Sequence, residues 1–255
     1  MSQPVQPIRP AATVILVREA EDNYEIFMLK RTSRASFAGG MFVFPGGRVD
    51  SDDHLHKYDE HRTGPSEVQQ PQAAALGAEW RGYWIAGIRE SFEEAGLMLA
   101  YTQGGELLSY SDDEVHARMD AYRHPLHGGE LSLLEICERE NLKLAVDRIH
   151  FYNRFVTPFG RPRRFDTRFF IAEAPASQTG AHDEKETVDS IWISPAEALA
   201  RNAAREFDLM RVTQVQLTEL ARYANAREVL WFAASNTHFP IHRPTMPVDL
   251  PNSKG

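Results

Sequence analysis

The first half of the chain begins with two apolar segments that have the character of β-strands. Residues 11–17 and 24–31 are rich in β-branched and aromatic side chains, and a short polar segment separates them. This pattern predicts an antiparallel hairpin. A third, shorter strand is predicted from Met41 to Phe44, between two pairs of glycines. Residues 50–72 are polar and follow neither the strand nor the helix period, which predicts an inserted loop.

The second half alternates between helical and strand-like segments. Helices are predicted at residues 111–124, where Ser111 and Glu114 form a capping-box pattern, at 131–141, from Ser194-Pro195 onward, and at about 206–224. Strands are predicted at 149–158, 163–175 and 187–194. The expected fold is one α/β domain over residues 1–255, in which helices cover both faces of a mixed sheet. An insertion at 51–80, an additional helical region at 100–148 and an irregular tail at 239–255 complete it.

One helix, ending at Gly96, combines an apolar face with a carboxylate face. Glu90, Glu93 and Glu94 are spaced by three and four residues, which brings their side chains onto one side of the helix. An ordinary solvated acidic face is the first interpretation. Like charges at these spacings cost roughly 0.2–0.5 kcal/mol per pair, and anions in a last helical turn oppose the helix dipole. A divalent cation would relieve both costs, and Mg²⁺ prefers such oxygen ligands.

Composition and charge narrow the possible partners. The formal net charge is −8 and the pI is about 5.7, which argues against binding along nucleic acid. The single cysteine, Cys137, leaves no internal disulfide framework and is typical of a reducing compartment. No secretory signal or membrane-spanning segment is recognisable, so a cytoplasmic location is expected.

Two motifs resemble the halves of the Nudix hydrolase box. The segment Arg89-Glu90-Ser91-Phe92-Glu93-Glu94-Ala95-Gly96-Leu97 resembles its second half, and Phe44-Pro45-Gly46-Gly47 resembles its opening. Ser91 replaces a usually bulky apolar residue. The family spacing from Gly47 reaches Asp53, where glutamate is usual, and residues 54–88 then interrupt the box. Asp53 is therefore given no role. An interrupted box of this kind resembles the acyl-coenzyme A diphosphatase branch of the family.

The resemblance implies an α/β/α sandwich and a set of site residues. Gly46, Glu90, Glu93 and Glu94 would bind Mg²⁺ or Mn²⁺, with Glu90 as a further ligand or as a group that activates water. Arg89 would hold a carboxylate in position, although a surface ion pair is an equally simple role for it. Glu184 or Glu186, in a distal loop, would supply the last acidic group, and Glu186 is preferred.

Substrate-binding candidates come from two further segments. Arg164 and Arg168 offer guanidinium groups suited to phosphate oxygens, but they alternate with Asp166 and could equally form a structural Arg–Asp–Arg ladder. Arg161 and Arg163, in the same segment, are further candidates for this role. Arg31 and Gly40 match part of the family's coenzyme A pattern, whose second arginine is Ser36 here.

Three functions remain open from the sequence. The first is metal-dependent hydrolysis of the diphosphate in coenzyme A or acyl-coenzyme A. The second keeps the reaction but uses ADP-ribose, a dinucleotide or an oxidised nucleotide as substrate. The third is a non-catalytic, ligand-sensing domain on the same fold. The partner is in each case a small nucleotide-type molecule, and a homodimer is an open possibility.

Overall fold

A mixed β-sheet forms the centre of the computed structural model, which describes residues 7–35, 38–161, 163–183 and 185–244. Its strands are β1 (Ile8–Glu19), β2 (Tyr24–Arg31), β3 (Phe42–Val43), β4 (Gly46–Arg48), β8 (Ile149–Val156), β9 (Arg164–Glu173), β10 (Thr187–Ile193) and β11 (Ile241–His242). The order across the sheet is β10-β2-β1-β9-β8-β11, and β3 and β4 pair with β2 and β1. A smaller sheet contains β5 (Arg62–Thr63), β6 (Ala100–Tyr101) and β7 (Lys143–Ala145).

Strand β1 lies at the middle of the main sheet. It forms the predicted antiparallel hairpin with β2 and runs parallel to β9, from the pair Ile8–Arg164 to the pair Val17–Glu173. Its side chains alternate between two apolar clusters, because successive residues of a strand point to opposite faces. Val14 and Leu16 belong to one cluster, and Ile15 and Val17 belong to the other.

Helices cover both faces of the sheet. They are α1 (Gln70–Leu76), α2 (Trp80–Ala95), α3 (Asp113–His127), α4 (Leu133–Glu140), α5 (Pro195–Ala203), α6 (Arg211–Leu220) and α7 (Ala226–Ser235). The cluster that contains Val14 also contains buried side chains of α2, whereas the cluster that contains Ile15 contains side chains of α5, α6 and α7. The arrangement is an α/β/α sandwich, which confirms the predicted fold class.

The polar segment after β4 is more ordered than an irregular inserted loop. It forms short 3₁₀ helices at Asp52–His54, His56–Glu60 and Glu67–Gln69 and then enters α1. Two of its polar residues, Gln69 and Gln72, are buried, and the backbone of distant segments satisfies their amide groups. The Gln69 amide donates to the carbonyl oxygens of Val146 and Ile149, and Gln72 Oε1 accepts from the amide of Phe151. A polar composition therefore gave a wrong indication of an irregular loop.

Two helix boundaries also differ from the sequence predictions. Asp112, and not Ser111, caps α3, since its carboxylate accepts from the amides of Glu114 and Val115. Helix α7, which Asn225 caps, lies between the helix predicted at 206–224 and the irregular tail predicted at 239–255, and it was not predicted. Within that tail, β11 pairs with β8, and residues 245–255 lie outside the described residues. An asparagine cap followed by an apolar run is a helix start that the sequence analysis missed.

The helices also bear on membrane insertion. Across the part of the chain that the structure describes, none combines the length and apolar character needed to cross a bilayer.

Candidate active site

Helix α2 is buried along nearly its whole length, and its carboxylates are buried with it. Glu90, Glu93 and Glu94 expose 8%, 8% and 4% of their surfaces, so the first interpretation, a solvated acidic face, is wrong. The helix ends at Gly96 in the left-handed conformation, as predicted. Ser91 is also buried and donates a hydrogen bond of 3.0 Å to the carbonyl oxygen of Leu97, so its hydroxyl has a partner at the helix end.

The glycine pair of the Phe44–Gly47 turn lies directly against this helix. The amide of Gly46 donates to Glu94 Oε2 over 2.9 Å. A Cβ atom at residue 47 would lie 2.5 Å from Glu90 Oε1, so any side chain there would displace this carboxylate. Strand pairing of Thr13 with Gly46 fixes the turn on β1. Residues from two distant motifs thus meet at one place.

Arg89 joins the carboxylates to the insertion. Its guanidinium donates to both carboxylate oxygens of Asp53, at 3.0 and 2.9 Å, and to Glu90 Oε1 and Glu93 Oε1, at 2.9 and 3.0 Å. It also donates to the carbonyl oxygen of Arg48 over 2.7 Å. Asp53 is 1% exposed. Asp53 and Arg89 are thus paired in space, although residues 54–88 separate them in sequence.

Burial makes the carboxylate cluster electrostatically unfavourable without a cation. The pKa of Glu90 is raised well above its usual range, first by burial and then by Glu94 and Glu93, against the lowering effect of Arg89. Burial raises the pKa of Glu94 to about 8, although the Gly46 amide and Arg31 oppose this shift. The pKa of Glu93 is raised by burial as well. The site therefore gains stability from any ligand that adds positive charge.

A second group of side chains faces this cluster. Arg31 Nη2 lies 2.9 Å from Glu186 Oε2, and Arg31 Nη1 lies 3.9 Å from Glu94 Oε1. The imidazole of His127 lies 3.7 Å from a Glu93 carboxylate oxygen and 3.9 Å from one of Glu186. The structure thus brings Glu186 and Arg31 to the carboxylates. Gly40 lies beside Arg31 and donates to its carbonyl oxygen over 3.1 Å.

Two positions from the sequence analysis have no structural description. Glu184, the other distal acid, and Ser36, within the coenzyme A pattern, lie outside the described residues.

Arg164 and Arg168 have partners outside the carboxylate cluster. Asp166 pairs with Arg154 and Arg168, at 2.5 and 2.8 Å, whereas Arg164 donates to the carbonyl oxygen of Thr157. The ladder of alternating charges is therefore present with Arg154 in the place expected for Arg164. Arg168 pairs with Ala12 on β1, one strand away from Gly47, and its guanidinium lies over the ring of Tyr83 on α2.

Sequence reasoning missed three residues at this site. Asp53 was indicated only by counting along the box. Arg123 and His127 project from α3, in the additional helical region, and no motif links them to α2. Arg123 donates to the carbonyl oxygens of Glu93 and Glu94, at 3.2 Å each. Only the packing of α3 against α2 shows that these residues belong to the site.

The oxygen donors fit a hard divalent cation. Glu93 Oε1 accepts from Arg89 and Glu94 Oε2 accepts from the Gly46 amide. Of the remaining oxygens, Glu94 Oε1 lies 3.9 Å from Arg31 and Glu93 Oε2 lies 3.7 Å from His127, beyond hydrogen-bond distance. No three His, Cys, Asp or Glu side chains within the described ranges are grouped closely enough to hold an ion alone. Mg²⁺ commonly takes one or two protein carboxylates and completes its shell with water and substrate phosphates.

A sandwich of this kind, with a glutamate-bearing helix against a Gly-Gly turn, defines the class of Nudix hydrolases. The crystal structure of a Nudix hydrolase from Alicyclobacillus acidocaldarius superposes with a TM-score of 0.70 at 22% identity, covering 89% of this chain and 96% of that one. The model of the NUDT19 Nudix domain matches residues 8–223, and the chain belongs to this family. The predicted family and branch are confirmed.

Curated relatives match most of this chain at low sequence identity. The acyl-coenzyme A diphosphatase NUDT19 of Gallus gallus is 25% identical, over 97% of this chain and 76% of that protein. The protein of the same name from Xenopus laevis is 23% identical, over 84% of this chain and 64% of the relative. A putative nudix hydrolase 7 of Caenorhabditis elegans is 28% identical over 84% of this chain. The chain thus spans about two thirds to three quarters of the two diphosphatases.

Proposed function

We propose that this protein hydrolyses the diphosphate bond of coenzyme A or acyl-coenzyme A with the help of Mg²⁺ or Mn²⁺. The observation that carries the proposal is the buried cluster of Glu90, Glu93 and Glu94 against the Gly46-Gly47 turn. The names of two relatives, both acyl-coenzyme A diphosphatases, favour the coenzyme A substrate.

The metal would be held by Glu93, Glu94 and the carbonyl oxygen of Gly46, with Glu90 as a further ligand or as the group that accepts a proton from water. When bound, a divalent cation neutralises diphosphate oxygens and lowers the pKa of water. Arg89 orients Glu90 and Glu93 through its two hydrogen bonds to them. Glu186, held by Arg31, is the distal acid that would complete the site.

Arginines would receive the anionic substrate. Arg31 lies beside Glu94 and Glu186, so a diphosphate at the carboxylates lies within its reach. Gly40 adjoins Arg31 and would shape the same wall of the site. Arg168, one strand from the Gly47 position, and Arg164, at the start of β9, would contact the phosphorylated nucleoside end of the substrate. Bound cations and these side chains would allow a chain of net charge −8 to accept a polyanion.

A substrate panel tests the proposal. The purified protein with Mg²⁺ is incubated with coenzyme A, an acyl-coenzyme A, ADP-ribose, a dinucleotide and an oxidised nucleotide, and the products are identified by mass spectrometry. Cleavage to 3′,5′-ADP and a 4′-phosphopantetheine compound is expected, with kcat/KM at least about tenfold higher than for ADP-ribose. Turnover of ADP-ribose alone would replace the coenzyme A substrate. Binding of coenzyme A without any turnover would favour a ligand-sensing domain.

Two expectations from the sequence remain predictions. A cytoplasmic location is compatible with the buried, unpaired Cys137. The homodimer can be tested by measuring the molecular mass of the protein in solution.

A further inference from the structure

Arg123 makes the closest link between the additional helical region and the candidate site. Its side chain is 12% exposed and leaves α3 one turn before His127. Nε donates to the carbonyl oxygen of Glu93 over 3.3 Å, and Nη2 donates to those of Glu93 and Glu94, each over 3.2 Å. One guanidinium thus binds the backbone of the two residues that would hold the metal.

These carbonyl oxygens belong to the last turn of α2, which has no internal hydrogen-bond partners for them. The end of a helix carries partial negative charge, and Glu93 and Glu94 add their own there. The sequence of α2 contains no lysine or arginine in its last turn to offset this charge. Arg123 supplies the missing cation from another helix. The protein itself therefore offsets part of the negative charge at the end of α2, in addition to any bound metal.

The close approach depends on the residue that ends α2. Gly96 adopts a φ of 69°, and a Cβ atom there would lie 3.1 Å from Arg123 Nη1. Glycine thus has two functions at this position, since it ends the helix and leaves room for the guanidinium.

The same guanidinium also holds the segment that leads to Glu186. Nη2 donates to the carbonyl oxygen of Ala181 over 2.9 Å, and the amide of Ala181 donates to the carbonyl oxygen of Ala95 over 2.9 Å. Two residues later, the Asp183 carboxylate accepts from the amides of Glu186 and Thr187 and from the Thr187 hydroxyl. These hydrogen bonds tie Glu186 and Thr187 to Asp183, two residues beyond Ala181.

We propose that Arg123 is a positioning residue that sets the separation between the carboxylates of α2 and Glu186. Its hydrogen bonds join the two backbone segments that carry these side chains, and it touches none of the reacting atoms. The inference rests on the proposed function, because it assigns Arg123 a role through Glu93 and Glu94 as metal ligands. It also assigns the additional helical region a role in the site, since α3 carries Arg123.

Metal binding by full-length variants tests this role separately from hydrolysis. Affinity for Mn²⁺ is measured by isothermal titration calorimetry for wild type, Arg123→Ala and Arg123→Lys, alongside thermal unfolding, kcat and KM for coenzyme A. The matched control is Arg118→Ala, on the same helix, whose guanidinium pairs with Glu140 away from the site. Loss of the partners that orient metal ligands typically weakens metal binding about 10–100-fold. We expect a loss in this range for Arg123→Ala, with a lower kcat and a little-changed KM.

The conservative variant separates positioning from general stability. Lysine keeps the charge at the helix end but lacks the planar fork in which Nε and Nη2 both donate to the carbonyl oxygen of Glu93. Arg123→Lys should therefore unfold near the wild-type temperature and still bind Mn²⁺ more weakly. If Arg123→Ala does not fold, this variant decides. Mn²⁺ affinities within about twofold of wild type, or an equal loss in Arg118→Ala, would overturn the inference. If the wild-type protein binds Mn²⁺ but cleaves no diphosphate, the proposed function is wrong. The Mn²⁺ affinities of the Arg123 and Arg118 variants would still test the role of Arg123.

Discussion

Glu93→Gln is expected to reduce the rate of diphosphate hydrolysis by about a thousandfold at saturating substrate. Metal ions contribute several kcal/mol of transition-state stabilisation in such reactions, and each 1.4 kcal/mol corresponds to about a tenfold change in rate. The substitution removes one anionic ligand but keeps the size of the side chain. The measurement is kcat with coenzyme A at several concentrations of Mg²⁺, and added metal should restore little of the rate.

The matched control for this variant is Glu79→Gln. Glu79 precedes the same helix, its side chain is 65% exposed, and it pairs with His54 at a distance from the carboxylate cluster. Its activity should equal that of wild type. If Glu93→Gln keeps more than about a tenth of the wild-type rate, Glu93 is not a metal ligand in the reaction.

Arg89→Ala is expected to lower the free energy of unfolding by about 3–5 kcal/mol. Removal of one partner from a buried ion pair leaves the other charge uncompensated, and that loss is typically of this size. Here one guanidinium serves the carboxylates of Asp53, Glu90 and Glu93, of which Asp53 is 1% exposed. Burial alone would lower the pKa of Arg89, but its hydrogen bonds to Asp53 and the nearby Glu90 raise it above the usual value.

Urea denaturation of the metal-free proteins measures this loss. Arg18→Ala is the control, because Arg18 pairs with Glu25 at a surface where its side chain is 42% exposed, and such pairs contribute about 0–1 kcal/mol. A loss of less than about 1 kcal/mol in Arg89→Ala would show that the carboxylates do not depend on Arg89. The ion pair of Asp53 with Arg89 would then contribute little to stability.

The elements predicted from sequence were those whose signal is local. The β1–β2 hairpin, the strands β8, β9 and β10, and helix α2 with its end at Gly96 each follow from periodicity or from a capping residue within a few positions. Their existence is confirmed, and their boundaries differ by a few residues. The burial of Glu90, Glu93 and Glu94 could not be predicted in this way. A helical wheel shows which side chains share a face, but not whether another element covers that face.

The remaining errors concern contacts between distant parts of the chain. Gln69 and Gln72 were assigned to an irregular polar loop, yet both are buried and bonded to the backbone of β8. Arg123 and His127 reach the site from α3, about thirty residues beyond Glu93. Their partners are backbone oxygens and a carboxylate on another helix, and no local spacing encodes such pairs.

Asp53 shows the value and the limit of a motif. Counting along the family box reached this residue, but the long insertion after it gave no reason to pair it with Arg89. In the structure the chain returns after the insertion to α2, where Arg89 donates to both Asp53 Oδ1 and Asp53 Oδ2. The interruption therefore separates two box residues in sequence while keeping them together in space.

The most direct test of the metal site is an anomalous diffraction map from crystals soaked in Mn²⁺. The account predicts a peak between the Glu93 and Glu94 carboxylates and the carbonyl oxygen of Gly46, at roughly 2.0–2.2 Å from each ligand oxygen. Peaks confined to surface carboxylates, with none at this cluster, would contradict it.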